Sequence, residues 1–219
     1  PSFGEVCRLL WSRPSFRYLC LGGALSSFAA YSVLNWMAPF LIRVHGMSTG
    51  ELGSLLALSM GLGGGIGTFA SGLLADRLAA RDKRWYAWLP ALAMLISAPA
   101  YFAVFSMHEP HLILAINVLP MFLSNVFTAL CITMIHGMVA PNMRATGSAL
   151  FLLVANLIGL GMGPWATGLL SDTLQAEHGG QSIRYALLYL APLVTFISAL
   201  MFWRCAVHLR ADLARVPGA

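Results

Sequence analysis

Ser27, Tyr31 and Asn35 recur at every fourth residue with Trp36 beside them, and Asn117, Ser124 and Thr128 repeat at helical spacing with Asn125 close by. On a helix each set falls on one face. Hydroxyls, amides and an indole donate and accept hydrogen bonds without carrying charge, which suits reversible binding of an amphiphilic solute in a cavity better than covalent chemistry. Taken singly, each Ser or Thr serves equally well as a bond between helices, worth about 0.6 kcal/mol on average in membrane bundles. His136 offers a ring that can donate or accept a hydrogen bond, yet a lone histidine near a helix end is more often a packing residue. The stretch HEPH, His108 to His111, offers two histidines and one acid, a weak basis for a metal site. Ser71 precedes Gly72, but Phe69 stands where the GxSG context of an intramembrane serine protease needs glycine. Cys7, Cys20, Cys131 and Cys205 form no CxxC pair and read as buried thiols. No catalytic residue, cofactor or metal is expected.

The elements that must hold these groups are long and apolar. Hydrophobic residues make up 58% of the 219 and charged ones 10%, against about 45–50% and about 25% in soluble domains. Six apolar segments, roughly 16–42, 49–74, 85–107, 112–139, 146–170 and 183–205, are each long enough to cross about 30 Å of hydrocarbon at about 1.5 Å per residue. None carries Asp, Glu, Lys or Arg near its centre, so no proton relay is evident. Residues 1–15 read as a basic, amphipathic cytoplasmic arm without a signal-peptide cleavage site, and residues 206–219 as a cytoplasmic tail. Of the thirteen Lys and Arg residues, eleven fall on one side of this six-crossing arrangement; only Arg43 and Arg184 fall on the other. That asymmetry predicts cytoplasmic termini and explains the net charge of +5 without nucleic acid.

Within the second segment, Ser48 is placed to cap the helix and Glu51 to reach back to its free amide. Farther along, GIGTFA loosely fits a dinucleotide fingerprint, but these glycines lie inside a membrane-length segment rather than between a strand and a helix. Gly61 and Gly65, and in the fifth segment Gly159 and Gly163, repeat at the spacing that lets helix backbones approach, and Pro164 is expected to bend the fifth helix. Asp172, just past that helix, and Arg184, opening the next, are candidates to pair across their connector.

The connector GLLADRLAARDKR, Gly72 to Arg84, resembles the G-x-L-a-D-R-x-G-R-[KR] motif of the major facilitator superfamily, with Ala79 or Ala80 where the second glycine is expected. WMAPFLIRVHGMSTGELG and PNMRATGSALFLLVANLIGLGMGPWATGLLSD are similar to the C-terminal half of bacterial spinster-like transporters, and the likeness runs across nearly the whole chain. The resemblance implies an all-α integral membrane protein whose six transmembrane helices form the C-terminal bundle of a twelve-helix major facilitator fold. A faded three-plus-three inverted repeat is compatible with its connectors. It further implies a secondary transporter of a small organic or lipid-like amphiphile in the bacterial inner membrane, working by alternating access. The N-terminal six-helix half of the same transporter and membrane lipid are the implied partners, with proton coupling placed mostly in that other half. Asp76 and Arg77, with Gly72, Arg81 and Arg144, would form a cytoplasmic latch. Its basic residues equally suit topology and contact with anionic lipid. The rival expectation is a self-contained six-helix channel or small oligomeric transporter, which needs no second half.

Overall fold

The computed structural model describes residues 2–50, 52–53 and 72–215. The packing roles expected of Gly61 and Gly65 and the cap expected of Glu51 lie outside the described residues. A short helix, α1 (Phe3–Trp11), opens the chain behind a capping box: the Ser2 amide donates to Glu5 Oε2 at 2.8 Å and the Glu5 amide to Ser2 Oγ at 3.4 Å. That satisfies two of the orphan donors of its first turn. Val6 and Leu10 bury its apolar face.

The long helix α2 (Pro14–His45) follows, with proline in its first turn and Gly46 in the left-handed region at φ 67° ending it. Residues 72–79 are helical and residues 80–84 form a turn. The expected loop therefore begins about two helical turns late, because the Ala80 amide still reaches the Asp76 carbonyl at 3.1 Å. Then come α3 (Trp85–Ser106), α4 (Pro110–Ser124) and α5 (Val126–Met138). A turn at Pro141–Met143 leads to α6 (Arg144–Asn156), a π-helical segment (Leu157–Met162), α7 (Gly163–His178) and α8 (Ser182–Leu213).

Four helical stretches among the described residues are long and apolar enough to cross a membrane: Pro14–His45, Trp85–Ser106, Pro110–Met138 and Pro141–Leu213. The last spans 73 residues and doubles back at Gly179, where φ is +52°. The Ser171 and Ser182 hydroxyls bond at 3.0 Å across that reversal, and the His178 and Tyr185 rings stack with centroids 3.9 Å apart. This is an all-α, multi-pass membrane fold.

Two apolar clusters mark the ends of the bundle. One gathers Leu10, Phe16, Met138, Phe202 and Leu209; the other gathers Phe40, Leu41, Phe105, Ile113 and Ile183. Leu52 belongs to the second and Ala75 to the first. Between the clusters polar contacts stitch helices together: the Ser26 and Ser198 hydroxyls lie 2.7 Å apart, and Ser198 Oγ donates to the Gly22 carbonyl at 2.8 Å.

The helices run farther than the apolar segments. The fifth segment's helix continues to His178, so Asp172 stands inside it, exposed and in no ion pair among the described residues. Arg184 instead donates toward His45 Nε2 at 3.0 Å and to the Met107 carbonyl at 3.3 Å, with its guanidinium 5.8 Å from the Phe40 ring centre. The sixth segment's helix continues to Leu213 because its last turns find partners at the basic end. There Asp212, almost fully buried, accepts from the Ser15 amide at 2.9 Å and the Ser15 hydroxyl at 2.5 Å, and pairs with Arg215 at 3.3 Å. It thus supplies the missing cap of α2, whose own N-cap residue, Arg13, makes no side-chain cap bond. The Arg13 guanidinium donates to the Asp212 carbonyl; burial lowers its pKa, and the Asp212 charge opposes that shift.

Candidate functional site: a neutral cavity between two helix interruptions

A cavity of about 440 Å³ opens between the two end clusters. Tyr31, Ser124, Asn125 and Thr128 line it, so four of the seven cavity candidates come together there, with Ser27 from the same α2 face. Its walls are otherwise apolar, from Val33, Phe127, Phe151 and Ala155, and none of its lining residues carries a formal charge. Exposed Leu34, Leu152 and Asn156 sit on its rim, so it opens to the bundle surface.

Irregular backbone positions the polar groups. The helix from Pro110 to Met138 is interrupted at Asn125, one turn past Pro120, whose ring removes a backbone donor. Ser124 Oγ donates to the Pro120 carbonyl at 2.6 Å and Asn125 Nδ2 to the Met121 carbonyl at 2.8 Å, back-bonds of the kind that bend helices. Non-helical backbone at membrane depth is tolerated where it lines a cavity. The Asn125 side-chain oxygen and the Thr128 hydroxyl make no hydrogen bond with other described residues, which leaves acceptor and donor capacity facing the cavity.

The second interruption is the π segment Leu157–Met162, directly after Asn156 on the rim. Such turns recur at functional sites because they offset the side chains that follow. Tyr31 Oη donates to Asn156 Oδ1 at 3.2 Å, while Asn156 Nδ2 donates to the Leu152 carbonyl at 2.8 Å. Here α2 nearly touches the π segment and the start of α7: a Cβ on Gly159 would stand 2.5 Å from Ser27 Cβ, and one on Gly163 would stand 2.7 Å from the Phe28 carbonyl. Pro164 follows in the first turn of α7, and its carbonyl accepts from Trp36 Nε1 at 2.8 Å.

Asn35, Trp36 and Asn117 stand outside the cavity lining. Asn35 is exposed one turn past Tyr31 and spends its amide on the Tyr31 carbonyl at 2.8 Å. Trp36 ties α2 to α7. Asn117 shares the helical face of Ser124 but lies seven residues, about 10 Å, nearer the far cluster, where it is fully buried. Two lining groups escaped the sequence reading. Tyr101 Oη lies 3.5 Å from Ser124 Oγ, and Asn156 answers Tyr31. Both carried a signal: Tyr101 is a phenol in the apolar run APAYFAV, and Asn156 is the one amide in the fifth segment.

No family model matches the chain. It is 35% identical over 204 residues to an MFS-type efflux pump of Mycolicibacterium smegmatis, covering 93% of this chain and 47% of that protein. It is 29% identical over 234 aligned positions to protein spinster homolog 3 of Mus musculus, covering 98% and 45%. Among solved structures it is similar to a bacterial homolog of the human lysosomal transporter Spinster. In the inward-facing, unoccupied form the TM-score is 0.69 at 25% identity, over 97% of this chain and 50% of that one. In the inward-facing, occupied form the TM-score is 0.65 at 25% identity, over 94% and 50%. The chain is homologous to MFS-type, spinster-like transporters. It spans about half the length of the relatives it matches.

In this spinster-like chain the resemblance motif lies at the basic end. Gly72, Asp76 and Arg77 fall within the helical residues 72–79, with Asp76 and Arg77 exposed, and Arg81 sits in the turn that follows. Arg144 opens α6, also exposed. His136, in the last turn of α5, lies with Nε2 2.9 Å from Ser148 Oγ and so joins α5 to α6.

Proposed function

We propose that this chain is the C-terminal six-helix half of a secondary transporter that moves a small organic or lipid-like amphiphile by alternating access. The observation that carries the reading is the uncharged cavity held between two helix interruptions, in a chain that matches half of each relative. Neutral donors and acceptors on an apolar wall recognise a solute with a polar head and an apolar body. Interrupted helices give hinge points about which a wall can tilt. The N-terminal half would supply the facing wall and the coupling protons, since no lining residue here carries a charge. The excess of basic residues at one end supports a cytoplasmic position for both termini, in a chain we assign to a bacterial inner membrane. At that end exposed Asp76, which interacts with Tyr86 in this chain, would with Arg77 meet the amides of a facing helix N-terminus, where the dipole favours negative charge, as one part of a latch.

The test uses the full-length protein carrying these residues, with lysolipids, other amphiphiles and polar solutes compared as ligands. Asn125→Ala and Tyr31→Phe should each weaken binding of the preferred amphiphile by several-fold in folded protein, while Asp76→Asn should alter cysteine accessibility at the two faces without changing affinity for the cavity. Unchanged affinity in both cavity variants defeats the cavity assignment, and unchanged accessibility defeats the latch.

A further inference from the structure

The turn after residues 72–79 and the last turns of α8, far apart in sequence, meet around a second cavity of about 410 Å³. Arg81, Asp82, Lys83 and Arg210 line it, with Ala79 and Leu213 among the apolar residues of its wall. Arg210 Nε is held 3.5 Å from Asp82 Oδ1, and Arg84's amide donates to the same oxygen at 3.0 Å. Asp82 thus fixes the turn and one cation, yet three cations against one carboxylate leave the cavity net positive. The Arg210 side chain is 61% exposed, so its remaining donors face outward.

Immediately beside this cavity is an indole cluster. The Arg84 guanidinium lies 6.0 Å from the Trp88 ring centre, Trp85 and Trp88 meet edge to face at 5.4 Å, and Trp88 and Trp203 lie 6.4 Å apart. Tryptophans concentrate at the level of lipid headgroups. Leading away from the cavity along α8, Arg210, Val207, Trp203 and Leu200 are spaced by three, four and three residues, which puts them on one face. Leu200, Trp203 and Val207 are 46%, 52% and 56% exposed. On α3 the exposed Leu92 and Ile96 continue the Trp88 face in the same direction. A cationic cup therefore tops an apolar track that runs into the bilayer.

We infer that the Arg81–Lys83–Arg210 cavity seats the phosphate of an anionic phospholipid, whose acyl chains lie along the Trp88 and Trp203 faces of α3 and α8. A free phosphate ion would use only the cup, whereas a phospholipid uses the cup and the track, and the combination selects the lipid. The site is separate from the neutral cavity and does not depend on what that cavity carries.

The experiment measures phospholipid retained on the full-length protein by native mass spectrometry, titrating phosphatidylglycerol against phosphatidylcholine, with inorganic phosphate as competitor. Each cation near an anionic lipid surface is worth roughly fivefold in affinity. Lys83→Gln with Arg210→Gln should weaken phosphatidylglycerol retention roughly 25-fold relative to phosphatidylcholine. Arg8→Gln with Arg17→Gln, an equal charge change at exposed positions outside the cavity, should leave it within about twofold. Asp82→Asn removes the competing charge while keeping an oxygen for the Arg84 amide, and should tighten retention, a gain that misfolding does not produce. Equal losses in the two double variants overturn the site in favour of general surface charge. Displacement of phosphatidylglycerol by inorganic phosphate at matched concentration overturns the role of the apolar track.

Discussion

Three glycines at alternate positions of one segment offer a test with its own control. A Cβ on Gly159 would meet Ser27 Cβ at 2.5 Å and the Ser27 backbone carbon at 2.9 Å; one on Gly163 would meet the Phe28 carbonyl oxygen at 2.7 Å and Ser32 Oγ at 2.9 Å. Gly161, between them, has nothing within 4 Å of a built Cβ. Ordinary contact lies at 3.4–4 Å, so alanine at either crowded position forces the π segment or the start of α7 away from α2 by about 0.5–1 Å. The obstacle includes backbone, which has no rotamer to yield. Overpacking of this kind typically costs about 1–3 kcal/mol. The same withdrawal would stretch the 3.2 Å bond from Tyr31 to Asn156 and the 2.8 Å bond from Trp36 to Pro164. Gly161→Ala should instead be neutral or stabilising by up to about 1 kcal/mol, because glycine loses more backbone freedom on folding. Reversible unfolding in mixed micelles, read by circular dichroism, gives all three values. If Gly161→Ala costs as much as its neighbours, or if Gly159→Ala and Gly163→Ala cost nothing, close backbone approach is not what these glycines provide.

Two further outcomes follow from the basic end and from α1. Asp212→Ala should destabilise the protein by about 1.5–3 kcal/mol in the same assay, the range for hydrogen bonds to a charged group, with Asp212→Asn costing less because an oxygen still reaches Ser15; equal costs would make the charge and not the cap responsible. At Glu5 the Ser2 amide and hydroxyl hold the carboxyl below its ordinary value of 4.5. A depressed folded-state pKa adds stability above the unfolded value and loses it as pH falls through the folded one, so α1 should fray only in acid. Hydrogen exchange at the α1 amides from pH 6 down to pH 3 reads this, and a Glu5→Gln protein showing the same acid transition would refute it.

The sequence made the helices legible because a membrane-length apolar run has few other ways to satisfy its backbone. Helical spacing grouped Tyr31 with Ser27 and Ser124 with Thr128 within their own helices, and Tyr31, Ser124, Asn125 and Thr128 line one cavity. Spacing failed where the helix is not regular. The break at Asn125 and the π segment at Leu157–Met162 change the rotation per residue, so no fixed period carries the register of Asn117 through to Thr128 or relates Asn156 to α7. Axial position was the other loss. Asn117 and Ser124 share a face, but periodicity does not say which turn lies beside the cavity. Asp212 was invisible for a different reason: it looks like a tail acid, and its partner Ser15 is 197 residues away.

That contact also sets an order on synthesis. The N-terminus of α2 has proline in its first turn and no side-chain cap of its own, so its exposed amides go without a carboxylate until residue 212 has been made and has crossed back to the same end. During translation the first long helix therefore waits, unfinished at its start, for the last. A chain stopped before Asp212 would hold every crossing helix described here and still lack the closure that joins the first to the last.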